Sequence, residues 1–253
     1  MTNKGIFKAL PAMALLLTGT TVSAQEAAPD TWKLGAEVYF WGASMGGTTS
    51  AGQDIEVGID DLLDNLKMGG MGALAARKGQ WSVFGDLIYL DDGDSGNTTV
   101  SLGPRGRIKV PASASLDLKA VISTVGAGYR FYDASGTTLD AVGGVRMLWL
   151  DTTVKASFGS VNSMVKDSGS NFDAIIGLRG QSDLNEKWYV DYYADVGAGE
   201  SDLTWQAAVG VNYRLAKADL SLGYRYMSWD LDGSSPISDL NLSGVYAGVK
   251  FAF

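Results

Sequence analysis

Histidine and cysteine are both absent from the 253 residues. The chemistry open to this chain is therefore that of carboxylates, guanidiniums and hydroxyls. Without imidazole there is no usual proton acceptor for a serine nucleophile and no common nitrogen ligand for a metal. Without thiols there is neither a disulfide framework nor a thiolate metal site. What remains is a set of charged residues: Glu37, Asp86, Asp140, Asp173, Asp191 and Asp195 with Arg77, Arg130, Arg146, Arg179, Arg214 and Arg225. Hydrolysis by carboxylates alone needs a pair held about 5–9.5 Å apart, and spacing along the chain singles out no such pair. The expectation is a protein with no catalytic residues, no cofactor and no resident metal.

Two acidic runs have the composition of calcium loops, Asp91-Asp92-Gly93-Asp94-Ser95-Gly96 and Asp230-Leu231-Asp232-Gly233. Alternate carboxylates followed by glycine can wrap the ion. Neither run completes a twelve-residue loop with its distal glutamate, so a solvated acidic turn is the plainer reading.

The elements that must position the charges alternate with period two. Trp32, Leu34, Ala36, Val38 and Phe40 share one face against Lys33, Glu37 and Tyr39. Leu139, Ala141, Val145, Met147 and Trp149 oppose Asp140 and Arg146. Trp205, Ala207, Val209, Val211 and Tyr213 oppose Gln206 and Arg214. The pattern recurs near residues 81–89, 172–179, 188–196, 220–226 and 244–253, and more weakly at 68–77 and 116–131. About ten strands result, or eight if the weak hairpin is set aside. After the first residues no apolar run approaches the ~20 needed for a spanning helix, whereas a barrel strand needs only about 9–11 with one apolar face.

Connections alternate in length. Short ones fall at 78–80, 133–136, 183–187 and 216–218; long ones run roughly 44–67, 91–115, 151–170 and 230–240, and a fifth on that side, near 199–203, is tight. Aromatic residues gather at both ends of the strands: Trp32, Trp81, Phe131, Trp188, Tyr213 and Phe253 at the short-turn end, Phe40, Tyr89, Trp149 and Trp205 at the other. Two aromatic girdles and one greasy face describe an all-β, transmembrane, antiparallel up-and-down β-barrel, with short periplasmic turns and longer extracellular loops. A periplasmic β-sandwich is the soluble alternative.

Residues 1–24 read as a secretory signal peptide: Lys4 and Lys8, an apolar run Ala9 to Leu17, and Val22-Ser23-Ala24 before the cut. Residues 25–253 form the barrel domain. Losing Lys4 and Lys8 takes the formal charge from −8 to −10, which argues against nucleic acid as a partner.

The chain closes on Val249-Lys250-Phe251-Ala252-Phe253. A last strand with apolar residues at alternate places and a final phenylalanine resembles the assembly signal of Gram-negative outer-membrane barrels. That resemblance implies location in the cell outer membrane, recognition of Tyr246, Val249, Phe251 and Phe253 by the outer-membrane insertion machinery, and contact with outer-membrane lipid and lipopolysaccharide. The stretch 60–90, with Asp61-Leu62-Leu63-Asp64-Asn65-Leu66 and Phe84-Gly85-Asp86-Leu87-Ile88-Tyr89-Leu90, is similar to a family of uncharacterised bacterial outer-membrane proteins. The architecture resembles small porin-like and OmpA-like barrels, which does not fix function. Barrel enzymes of that compartment, such as omptin proteases, lipid acylases and phospholipases, rely as families on histidine.

If the greasy face meets lipid, the other face points into the lumen. The inward basic residues are Lys33, Arg77, Arg130, Arg146, Arg179, Arg214, Arg225 and Lys250. The inward acidic ones are Glu37, Asp86, Asp140, Asp173, Asp191, Asp195 and Asp219. Near-balance in a narrow barrel favours a salt-bridged, filled lumen in a structural or surface-interaction protein. The alternative is a charged constriction in a narrow channel for small solutes. Ile59, Leu62, Leu63 and Leu66 suggest a short helix in the first long loop, either packed on the barrel mouth or acting as a lid.

Overall fold

The computed structural model describes residues 31–49, 52, 54–58, 66–102, 108–158, 161–231 and 237–253. The signal segment lies outside them. So does the loop-helix segment at 59–65, and Leu66 itself opens a strand.

The described residues form eleven strands: β1 Lys33–Thr49, β2 Asp54–Val57, β3 Leu66–Lys78, β4 Trp81–Leu102, β5 Ile108–Ala134, β6 Thr137–Phe158, β7 Val161–Asp183, β8 Trp188–Gly199, β9 Ser201–Arg214, β10 Asp219–Leu231 and β11 Ile237–Ala252. β2 is four residues long and pairs only with β1. The other ten are antiparallel neighbours in chain order, and β11 pairs back onto β1. The sheet is closed, so no barrel edge is left to template other chains. Both weakly patterned segments are full staves, β3 and β5, which removes the eight-stranded alternative.

The register fixes the barrel's shape. Stepping once around it from Lys33 leads through Arg77, Ser82, Gly128 and Val142. It continues through Gly177, Asp195, Gln206, Met227 and Leu242 and returns to β1 at Met45, twelve residues on. Ten strands with that stagger, at ~3.4 Å per residue and ~4.8 Å between strands, tilt by about 40°.

Two of the four long loops are not loops. β4 and β5 stay paired out to Leu102 and Ile108, and β6 and β7 out to Phe158 and Val161. Thr, Val and Ile, as in Thr98-Thr99-Val100 and Ile108-Lys109-Val110, favour extended backbone there. The run at Asp91 is accordingly part of a ladder. Asp91 faces Lys119 in the register and pairs with its ammonium at 3.1 Å, and an extended paired strand cannot wrap an ion. Asp230 lies at the end of β10 opposite Asp239; Asp232 and Gly233 lie outside the described residues.

One seam is short. Six residue pairs hold β1 to β3, from Lys33 with Arg77 to Val38 with Gly72. The next shortest ladder of the wall, β8 with β9, has ten. Above Val38 the Trp41 N–H instead donates to the Met71 sulfur at 3.1 Å.

Candidate functional site

The outer wall is apolar. Val38, Leu74, Ile176, Leu178, Val209 and Leu222 are each about half or more exposed, in a closed sheet that offers them nothing to pack on. A water-soluble protein rarely exposes so continuous an apolar surface. Aromatic pairs mark its two edges. Trp81 packs on Tyr129 and Trp188 on Tyr213, with centroids 5.0 and 4.8 Å apart, at the short-turn end. Trp149 packs on Phe172 and Trp205 stacks on Tyr226, at 5.6 and 4.6 Å, at the other. Trp81 and Tyr89 are eight residues apart on β4, which at a ~40° tilt is about 21 Å of height, close to the ~25 Å apolar band of such barrels.

This is the fold of an outer-membrane β-barrel.

Its inward face divides into two halves. At the turn end, Asp140 of β6 is nearly fully buried and takes three guanidiniums. Arg130 Nε lies 3.0 Å away, Arg179 Nη2 3.3 Å, and Arg77 Nη2 donates to the same oxygen as Arg179. Arg130 also pairs with Asp133 at 3.1 Å. Arg179 donates to Ser82 Oγ at 3.0 Å, and its guanidinium lies over the Phe84 ring at 4.9 Å. At the rim, Arg214 binds Asp183 at 2.5 Å, which holds that carboxyl below the usual carboxylate range.

Higher up, Arg225 of β10 donates to Tyr39 Oη at 2.9 Å and to Asp86 at 3.3 Å, while Tyr39 donates to Asp86 at 2.8 Å. Lys250 pairs with Asp191. Glu37 accepts from Ser221 Oγ at 3.0 Å. Arg146 pairs with Asp195 and also donates to Thr204 Oγ1 at 3.1 Å and Gln206 Oε1 at 3.0 Å. Asp173 accepts from the backbone and hydroxyl of Ser201 at 2.8 and 2.9 Å. All twelve charged residues singled out from the sequence face the lumen or its rim. They form several separate groups, not one ring.

The loop-side half corrects the picture of a lumen filled by salt bridges. Trp41, Ile88, Ile122, Leu148, Met227, Trp229 and Leu242 point inward and form a buried apolar cluster. Ile88 and Trp229 have no exposure at all, and Ile122 and Met227 only 1%. Ile88 and Leu148 lie in stretches apolar on both faces, Leu87-Ile88-Tyr89 and Met147-Leu148-Trp149-Leu150. Such a run signals a strand buried on both sides, and sequence reasoning passed over it.

Of the proposed assembly-signal residues, Phe251 and Phe253 lie on the exposed wall and Val249 is half-buried on the same side. Tyr246 turns inward, its ring 6.3 Å from that of Tyr39. It fits because Gly210 and Gly223 lie beneath it: a Cβ at either would come within about 2.5 Å of its ring or hydroxyl.

No protein-family model matches the chain, and no curated protein resembles it significantly. Solved structures with a similar strand arrangement include the outer membrane protease OmpT from Escherichia coli. It is 11% identical, with 89% of this chain and 97% of that one covered, at a TM-score of 0.47. The translocator domain of the autotransporter NalP from Neisseria meningitidis is 15% identical over 88% of each chain, at 0.42. The attachment invasion locus protein Ail of Yersinia pestis, in complex with a heparin analogue, is 12% identical over 88% and 99%, at 0.37. Function has to be read from this chain's own residues.

Proposed function

We propose that the protein is an integral barrel of a Gram-negative outer membrane with a closed lumen, serving a structural or surface-interaction role. The observation that carries this is the apolar layer: Ile88, Ile122, Met227 and Trp229 meet inside the loop-side half with essentially no exposure. Water and ions do not cross a packed apolar layer without its displacement. The turns face the periplasm. The long β4–β5 and β6–β7 hairpins rise outside, where they meet lipopolysaccharide or another surface. The alternating end of β11, with Val249, Phe251 and Phe253 outward, is the segment offered to the insertion machinery, and Tyr246 contributes from the lumen side.

One observation favours a second reading, a narrow channel for small solutes: the turn-side half of the lumen holds a cavity of about 610 Å³. Recording from the purified protein in planar bilayers separates the two. Silence across several salts is expected. Reproducible stepwise conductance from the unaltered protein would overturn the closed reading and establish the channel.

A further inference from the structure

The turn-side cavity has a charge that the chain as a whole does not. Six cationic side chains line it against four carboxylates, a surplus of two positive charges inside a protein of formal net charge −8. Two of the cations are cancelled locally, Arg225 by Asp86 and Lys250 by Asp191. The surplus lies in the remaining group, where Arg77, Arg130 and Arg179 share Asp140. Asp140 offsets one of the three charges and Asp133, beside Arg130 at the rim, a second, which leaves one guanidinium charge uncompensated.

The guanidiniums are held in place from β3, β5 and β7. Besides Asp140, Arg77 reaches the Gln80 carbonyl at 3.4 Å, Arg130 reaches Asp133, and Arg179 reaches Ser82. Each guanidinium carries five N–H donors, so this group keeps unused donors on the cavity wall. The three side chains remain 20%, 23% and 27% exposed, within reach of a solute. The cavity has room because inward positions on the adjoining β1 and β3 are small: Gly35, Ala73 and Ala75. Above it the apolar layer closes the lumen. Arginine is the residue suited to planar, bidentate capture of carboxylate and phosphate.

We propose that this half of the lumen is a blind pocket for an oxyanion, a phosphate or carboxylate group entering from the turn side and docking on Arg77, Arg130 and Arg179. The inference rests on the barrel orientation given above. Docking of the oxyanion on the three arginines does not depend on whether the lumen conducts; only the blind end does.

Titration calorimetry on the intact barrel in detergent tests it, with inorganic phosphate and acetate as separate probes and chloride at matched ionic strength as reference. Saturable binding of phosphate, of acetate or of both is expected, and the pair shows which group the site takes. Arg77→Gln and Arg179→Gln should each weaken it by about tenfold or more, since a hydrogen bond to a charged group is worth ~1.5–3 kcal/mol. Asp140→Asn should tighten it, because the bound anion then replaces the one carboxylate that all three guanidiniums share. A cluster with a purely structural role would instead lose stability in Asp140→Asn and gain no affinity. Heat-dependent gel mobility confirms that each variant is a folded barrel. Absence of saturable binding to either anion overturns the proposal, as does binding unaltered in both folded arginine variants. Should those variants fail to fold, an affinity unchanged or weakened in Asp140→Asn overturns it.

Discussion

Arg146 on β6 and Asp195 on β8 meet across the intervening β7 with neither side chain exposed to solvent. β7 permits this because the residue in register with Asp195 is Gly177. A Cβ at Gly177 would lie 2.7 Å from the Asp195 Cβ and 2.2 Å from the Ala194 carbonyl oxygen. The pair sits beside the apolar layer, with the Arg146 guanidinium 6.0 Å from the Trp229 ring centroid.

Breaking this pair from one side should be costly. Arg146→Met or Asp195→Asn leaves a buried group without its partner, at about 3–5 kcal/mol. The double replacement Arg146→Met with Asp195→Leu should recover most of that loss, because the desolvation of both charges disappears together. Urea unfolding of the barrel in vesicles, followed by tryptophan fluorescence, reads both. A double variant as unstable as the sum of the singles would contradict the assignment.

Trp229→Ala should do two things at once. Removing a fully buried indole costs about 3–5 kcal/mol. It also opens the layer proposed to seal the lumen, so stepwise currents are expected from the variant where the unaltered protein is silent. A folded Trp229→Ala barrel that stays silent would place the seal elsewhere.

The seam between β1 and β3 should be the least protected part of the wall. Amides of β1 between Tyr39 and Ser44 have no ladder partner on the β3 side, and Trp41 relies on the Met71 sulfur. Met71→Leu keeps the volume and removes that acceptor, at about 1–3 kcal/mol for a buried N–H left unpaired. Hydrogen exchange should quicken at Trp41 and stay unchanged in β5 and β6, whose ladder is among the longest. Uniform acceleration over all strands would argue against a local seam.

The β5–β6 turn is strained at one residue. Ser135 and Gly136 both adopt positive φ, 52° and 74°, as the mirror-image two-residue hairpin turn requires. Glycine takes that conformation freely, whereas serine does so less readily than asparagine. Ser135→Asn should raise stability by a few tenths to about 1 kcal/mol, and Gly136→Ala should lower it. Unfolding midpoints in urea report both signs.

How much of this was legible beforehand follows from what constrains each part. Hydrocarbon on one side forces every second residue of a stave to be apolar, so the wall, from Val38 to Val245, could be read from periodicity. The same signal weakens above the membrane, where Gly, Ser, Thr and Asp crowd the sequence. There β4 to β7 continue as paired strands, and the alternation of Ile108, Val110, Ala112, Ala114, Leu116 and Leu118 among Ser-, Gly- and Asp-rich neighbours looked like loop. The apolar layer was hidden because Leu148 and Ile88 lie between outward residues that are equally apolar. Partners inside the lumen were out of reach for another reason. Arg130 and Arg179 stand opposite Asp140 in the β5–β6 and β6–β7 ladders, but Arg77, 63 residues away on β3, reaches it only through the stagger of several successive ladders.

Everything rests on which face of the staves meets lipid, and neighbouring residues on β9 can decide it. The chain has no cysteine, so Ala208→Cys and Val209→Cys each give a single spin-label site in reconstituted vesicles. Val209 is 51% exposed on the outer wall, while Ala208 lines the lumen cavity. The label at Val209 should relax with oxygen and be shielded from a water-soluble nickel chelate, and the label at Ala208 should show the opposite preference. A label at Val209 open to the nickel chelate would mean that the apolar wall faces water, and the membrane-spanning barrel would be the wrong description.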